Sequence, residues 1–165
     1  MLASSVQSAA FAGAMGLKLA YASFLSQGPV RPAIEAYRKA FTSSPFAEAP
    51  HAAVALVALA ADTEEKAHDQ SKSAIAWSIL RAGGRFAPFP GEAEAEAIIQ
   101  AADPALVRQV SNRAIRGDAT SVTQRLQETA DRYIADELFL LSFASSFETR
   151  RRSYELIAEK MPRAG

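Results

Sequence analysis

Short, continuously apolar stretches alternate along this chain with stretches whose apolar residues recur every three or four positions. Residues 1–5 end in two serines, and Ala9, Phe11, Ala12 and Met15 then give a helical pattern closed by Gly16, where glycine favours the end of a helix. Residues 18–23 (KLAYAS) have the length of a buried strand and are broken by Ser26, Gly28 and Pro29. The next helix opens near Pro32, because proline suits a first helical turn, and Ile34, Tyr37 and Phe41 give it one apolar face. Residues 52–61 (AAVALVALAA) are apolar throughout, as in a strand covered on both faces in a parallel sheet. Their alanine content also suits a helix; Asp62 with Glu65 three residues on decides for strand, because it predicts a capped helix starting where the run stops. That helix carries Ala67, Ala74, Trp77 and Leu80 to about Arg81.

Residues 82–91 (AGGRFAPFPG) hold three glycines and two prolines and predict a loop. Two helical patterns follow, over 92–101 and 104–116, and together with the loop they read as an insertion over about 82–116. Asp118 then caps a helix whose Val122, Leu126, Ala130 and Tyr133 lie on one face. Residues 137–143 (ELFLLSF) form the clearest strand of the chain. A last helix over about 146–161 turns Phe147, Tyr154, Ile157 and Met161 inward and leaves Arg150, Arg151 and Arg152 as a solvated face. Strands alternating with helices predict an α/β fold with about four parallel strands and flanking helices, in a single domain spanning 1–165. A closed (β/α)₈ TIM barrel takes about 250 residues, so this chain corresponds to a partial, half-barrel fragment at most.

Charge and composition narrow the function classes. Lys plus Arg number 18 and Asp plus Glu 18, so the net charge is zero and no electrostatic footprint for nucleic acid or an anionic membrane is present. No cysteine occurs, which removes disulfides and thiolate metal sites, and only His51 and His68 remain as imidazole ligands, so no metal site is expected. His51 precedes a strand and His68 falls on a charged helix surface, so neither is expected to act as a catalytic base. Residues 2–17 carry no charge, yet no Lys or Arg precedes them, Ala, Ser and Gly dominate, and Lys18 interrupts the run. The expectation is a soluble, cytoplasmic chain with neither secretory leader nor membrane span.

The candidate chemistry lies at the first helix. Its N-terminus offers unpaired amides and the positive end of a dipole, and Ser5 and Ser8 can either add hydroxyl donors to an anion there or simply cap the helix. Ala3-Ser4-Ser5-Val6-Gln7-Ser8, followed by a small-residue helix ending at Gly16-Leu17, resembles the Gly-Ser-Ser-x-x-Ser turn after the fifth strand of bacterial luciferase-like flavin-dependent monooxygenases, with Ala3 in place of the glycine. The resemblance continues in four further places. Ala61-Asp62-Thr63-Glu64-Glu65-Lys66-Ala67 is similar to the family's Ala-Asp-Thr-Asp-Glu-Glu-Ala start of the helix after strand seven. Gly117-Asp118-Ala119-Thr120 resembles its Gly-Ser-Pro-Glu turn, Ala135-Asp136-Glu137-Leu138 its Gly-Ala-Asp-Glu-Leu entry to strand eight, and Arg152-Ser153-Tyr154-Glu155-Leu156 its closing Arg-Ser-Tyr-Glu-Leu.

The resemblance implies the C-terminal half of a flavin-dependent oxidoreductase that uses reduced FMN, or in some relatives F420, with dioxygen and an unidentified small organic substrate. It implies that Ser4, Ser5 and Ser8 hold the cofactor's phosphate, and that Ser23 and Phe24, at the end of the next strand, border the flavin ring or substrate. No catalytic residue is identified by it. The family's first four strands, one side of the flavin ring and the basic groups near the phosphate have no counterpart here. Completion by a homodimer or by a separate N-terminal half is therefore expected, since uncovered strand edges attract other chains. The alternatives are a non-catalytic half-barrel module that dimerises, and a truncated gene product.

Overall fold

A computed structural model describes residues 1–26 and 28–161 and shows an α/β fold of five strands and seven helices among them. In chain order these are β1 (Leu2–Ala3), α1 (Val6–Ala14), β2 (Leu19–Ala22), α2 (Val30–Ala40), β3 (Ala52–Ala61), α3 (Glu64–Ala82), α4 (Glu92–Ala101), α5 (Pro104–Ser111), β4 (Ala114–Asp118), α6 (Ala119–Tyr133), β5 (Glu137–Leu141) and α7 (Phe147–Lys160). The sheet runs β1-β2-β3-β4 with every pair parallel, and β5 also pairs with β3. The chain divides into two compact units, Met1–Leu56 with Leu126–Leu141, and Val57–Arg125 with the chain from Ser142 onward.

In the first unit, β2 aligns Leu19 with Ala52 and Ala22 with Ala55, so the first half of β3 is its parallel neighbour. Ala9, Ala12 and Gly13 of α1 and Ala33, Ile34 and Tyr37 of α2 are buried. Gly13 permits the close approach of these helices, because a β-carbon there would lie 2.3 Å from the Tyr37 carbonyl. The Tyr37 hydroxyl reaches the carbonyls of Leu17 (3.0 Å) and His51 (3.2 Å) and accepts from the His51 amide (3.0 Å), tying the entries of β2 and β3 to α2. Helix α2 opens at Val30 with Pro29 as its cap, two residues before the expected Pro32.

In the second unit, β4 aligns Ala114 with Val57 and Asp118 with Ala61. This corrects the expected helix over 104–116, which stops at Ser111. The edge of β3 from Val57 onward needs backbone partners, and the 114–118 segment supplies them in spite of its helical spacing. Helix α3 is capped by Thr63, whose hydroxyl accepts the Lys66 amide at 3.2 Å; Asp62 instead pairs with Lys66 and Arg152. On α7 the inward face carries Ser153, Leu156 and Ile157, while Phe147 and Tyr154 are exposed, contrary to expectation. The Ser153 hydroxyl accepts the Ala60 amide at 2.9 Å, and that bond rotates the helix away from the face marked by its aromatic residues. Arg150, Arg151 and Arg152 are exposed, as the sequence predicts. The insertion folds over α3, where Ile75, Ile79 and Val110 form a buried cluster with Ile98, Ile99, Leu106 and Val107 against it.

Candidate functional site

Parallel pairing decides where the serines stand. Because Ala3 aligns with Tyr21, the chain leaves β1 at Ser4 and Ser5 on the same rim at which it leaves β2 at Ser23 and Phe24. The strand order thus brings both sets of expected site residues to the carboxyl ends of neighbouring strands, where α/β proteins place ligands. His51 lies at the opposite end, immediately before β3, with its Nε2 3.2 Å from Glu137 Oε2. His68 is exposed on α3 in the second unit.

Ser5 is the N-cap of α1, with extended backbone angles. Its hydroxyl oxygen accepts the Ser8 amide at 3.2 Å, and the Ser5 amide donates to the Ser8 hydroxyl oxygen at 3.3 Å, so the two serines form a reciprocal capping box. The hydroxyls lie 2.8 Å apart, and the Ser8 hydroxyl also reaches the Ser5 carbonyl at 3.1 Å. When Ser8 donates to that carbonyl, the proton of Ser5 can be aimed outward. The amides of Ser4, Val6 and Gln7 have no protein partner among the described residues, and Ser4, Ser5 and Gln7 are exposed. Capping and anion binding are therefore compatible here, since the capping box takes up the amides of Ser5 and Ser8 and leaves those of Ser4, Val6 and Gln7 together with one hydroxyl proton. This donor set fits a phosphate group. No Lys or Arg side chain is hydrogen-bonded to this turn among the described residues, so the positive end of α1 is its local source of positive potential.

At the end of β2 the Ser23 amide and hydroxyl both donate to the Ala55 carbonyl, at 3.2 and 2.6 Å. Ser23 is thereby turned into the sheet, while its oxygen keeps a free lone pair. Phe24 is half-buried in the tight turn that follows, where the Tyr21 hydroxyl meets Ser26 Oγ at 2.8 Å. Among the described residues no group of three or more His, Asp or Glu side chains comes together to hold a metal. No helix among them is long and apolar enough to cross a membrane.

No protein-family profile matches the chain. It is 31% identical over 163 residues to the uncharacterized protein YwcH of Bacillus subtilis (strain 168) and 32% identical over 160 residues to YvbT of the same organism. Each alignment covers 96% of this chain and 48% of the relative, so the chain spans about half the length of these curated relatives. Among solved structures, apo-MsnO8 superposes with a TM-score of 0.87 at 29% identity, over 96% of this chain and 49% of that one. The oxygenating constituent of 3,6-diketocamphane monooxygenase from Pseudomonas putida, in complex with FMN, gives 0.60 at 15% identity over 99% and 48%. An F420-dependent secondary alcohol dehydrogenase, with an F420-acetone adduct, gives 0.52 at 11% over 96% and 46%. The low-identity matches speak for the fold. The chain thus has the α/β fold of about half of a luciferase-like barrel, with a parallel sheet and flanking helices.

Proposed function

We propose that this chain is the flavin-holding later half of a luciferase-like flavin-dependent monooxygenase, with Ser4 and Ser5 holding the phosphate of FMN, Ser8 positioning Ser5 through the cap because its own amide and hydroxyl are taken up there, and Ser23 and Phe24 bordering the ring or the organic substrate. The observation that carries this reading is the placement of the serine cap and the Ser23 turn on one rim, at the ends of adjacent parallel strands. The solved structures that bind FMN or F420 in a similar fold support it. When bound, reduced flavin would supply the electrons for reaction with dioxygen. The chain's own part is to anchor the phosphate through the amides of Ser4, Val6 and Gln7 and the Ser5 hydroxyl, and to fix the rim beside it. F420, which also carries a phosphate, is the alternative ligand of the same turn.

A phosphate held by amides and a helix dipole alone is held weakly. Completion of the site by a second copy or by a separate N-terminal half follows from that reading. It is supported by the single pairing of β1 among the described residues, and by Leu2, Phe11 and Met15, which are more than half exposed. The test is gel filtration of the full chain with added FMN, reading flavin absorbance and molecular mass in one peak, with affinity measured by titration. Ser5→Asp keeps a good N-cap but sets a carboxylate against the phosphate. It is expected to lower affinity at least about tenfold, or about 1.4 kcal/mol, with unchanged thermal stability. Parent-like binding by Ser5→Asp, or no saturable binding by the parent, overturns the assignment.

A further inference from the structure

The second unit holds a cavity of about 410 Å³ that the reading above does not use. It opens between α3, the insertion helices and β4, and its volume lies in the range of small-molecule sites. Ala67, Ile75, Ile99 and Val107 supply its apolar wall. Of the charged groups that line it, Lys72 pairs with Asp69 at 3.0 Å and with Glu96 at 3.3 Å, and Glu64 accepts the Asp118 amide at 3.2 Å. Arg116 differs from these. It is partly buried, one of its N–H groups donates to the Ser111 carbonyl, and no carboxylate lies within ion-pair distance of it among the described residues.

A like charge acts on Arg116. Arg125 donates to the Arg116 carbonyl at 3.2 Å, and burial first, then Arg125, pulls the Arg116 guanidinium below its ordinary value, although it stays charged at any physiological pH. A guanidinium offers five donors and Ser111 takes one. A partly desolvated cation on a cavity with an apolar wall, with donors to spare and no ion-pair partner among the described residues, is the complement of a carboxylate on a short hydrocarbon chain.

We infer that this cavity binds a small aliphatic carboxylate, its anionic head on Arg116 and its chain against Ile75, Ile99 and Val107. The competing explanation is that Arg116 only caps the C-terminal end of α5 through Ser111. The two separate in solution, because a cap gives no preference between an acid and its alcohol. The full chain is titrated with octanoate and, separately, with 1-octanol, following backbone amide shifts. Octanoate is expected to bind saturably and at least tenfold more tightly than octanol, with the largest shifts at residues 96–118. Arg116→Gln is expected to bring the two affinities within a factor of two, and Arg116→Lys to restore part of the preference. Equal affinities for octanoate and octanol on the parent chain overturn the inference without recourse to any variant, as does no saturable octanoate binding. The experiment contains no flavin, so its failure leaves the serine turn untouched.

Discussion

Two side chains of the first unit tie distant stretches of its backbone together. Tyr37 is fully buried, its hydroxyl serves both the amide and the carbonyl of His51 and the carbonyl of Leu17, and burial raises its phenol above the ordinary value, so it stays a neutral donor. Tyr37→Phe leaves those backbone groups unpaired. It should lower unfolding free energy by about 1–3 kcal/mol in urea denaturation, with little change in far-ultraviolet circular dichroism. Asp136 accepts from the Ala52 amide at 2.7 Å and from Arg38 Nη2 at 2.8 Å. Burial works against its charge, but the Ala52 amide and then Arg38 outweigh it and hold the carboxyl below its ordinary value. A carboxyl depressed in the folded state contributes stability above its unfolded value of roughly 3.9, and loses it as pH falls through the lower folded value. Stability of the parent should therefore fall as pH drops below about 4, and Asp136→Asn should flatten that decline. At neutral pH the variant should be destabilised by about 1–2 kcal/mol, discounted for the partial exposure of the pair. An unchanged acid limb would show that Asp136 is not the group responsible.

Helix packing carries the next level of order. Helix α1 is built of small residues, and the buried positions Ala9, Ala12 and Gly13 allow α2 to approach until the Tyr37 carbonyl sits where a side chain would otherwise be. Intrinsic propensity alone makes Gly13→Ala favourable by about 1 kcal/mol. The 2.3 Å approach to backbone reverses the sign, and overpacking of about 1–3 kcal/mol or more should dominate. The net expectation is a lowered melting temperature, checked by calorimetry; a raised one would mean that α1 can shift at no expense. The insertion is an element of another kind. Its short helices α4 and α5 lean on α3 through a cluster centred on Ile75, Ile79 and Val110, and β4 returns the chain to the sheet. The elements expected from the 3.6-residue period are present as helices where that period has a surface to bury against. The period misled where a sheet edge competed for the same residues, as at 114–118, and where one polar bond set the rotation, as with Ser153 on α7.

Across the whole chain, the alternation of strands and helices, the continuous apolar run of β3 and the five family-like motifs were enough to predict a partial barrel, and about half of each solved relative superposes on it. Covalent order and hydrophobic period are local properties, so the sequence by itself determined the element order apart from β4, the capping of α1 by Ser5 and the parallel character of the sheet. The Ser5–Ser8 cap was legible because serine at that spacing is a local signature of a helix start, and the phosphate role proposed for the same turn draws on the same residue types. Arg116 was not. Nothing in residues 111–118 announces a guanidinium without a counter-charge, because partners are set by which distant segments fold beside it and not by its neighbours along the chain. The same holds for Tyr37, Asp136 and Ser153, whose bonds join residues 14 to 93 positions apart. Tertiary structure alone decided these, because burial and hydrogen-bond satisfaction are properties of surfaces brought together in space.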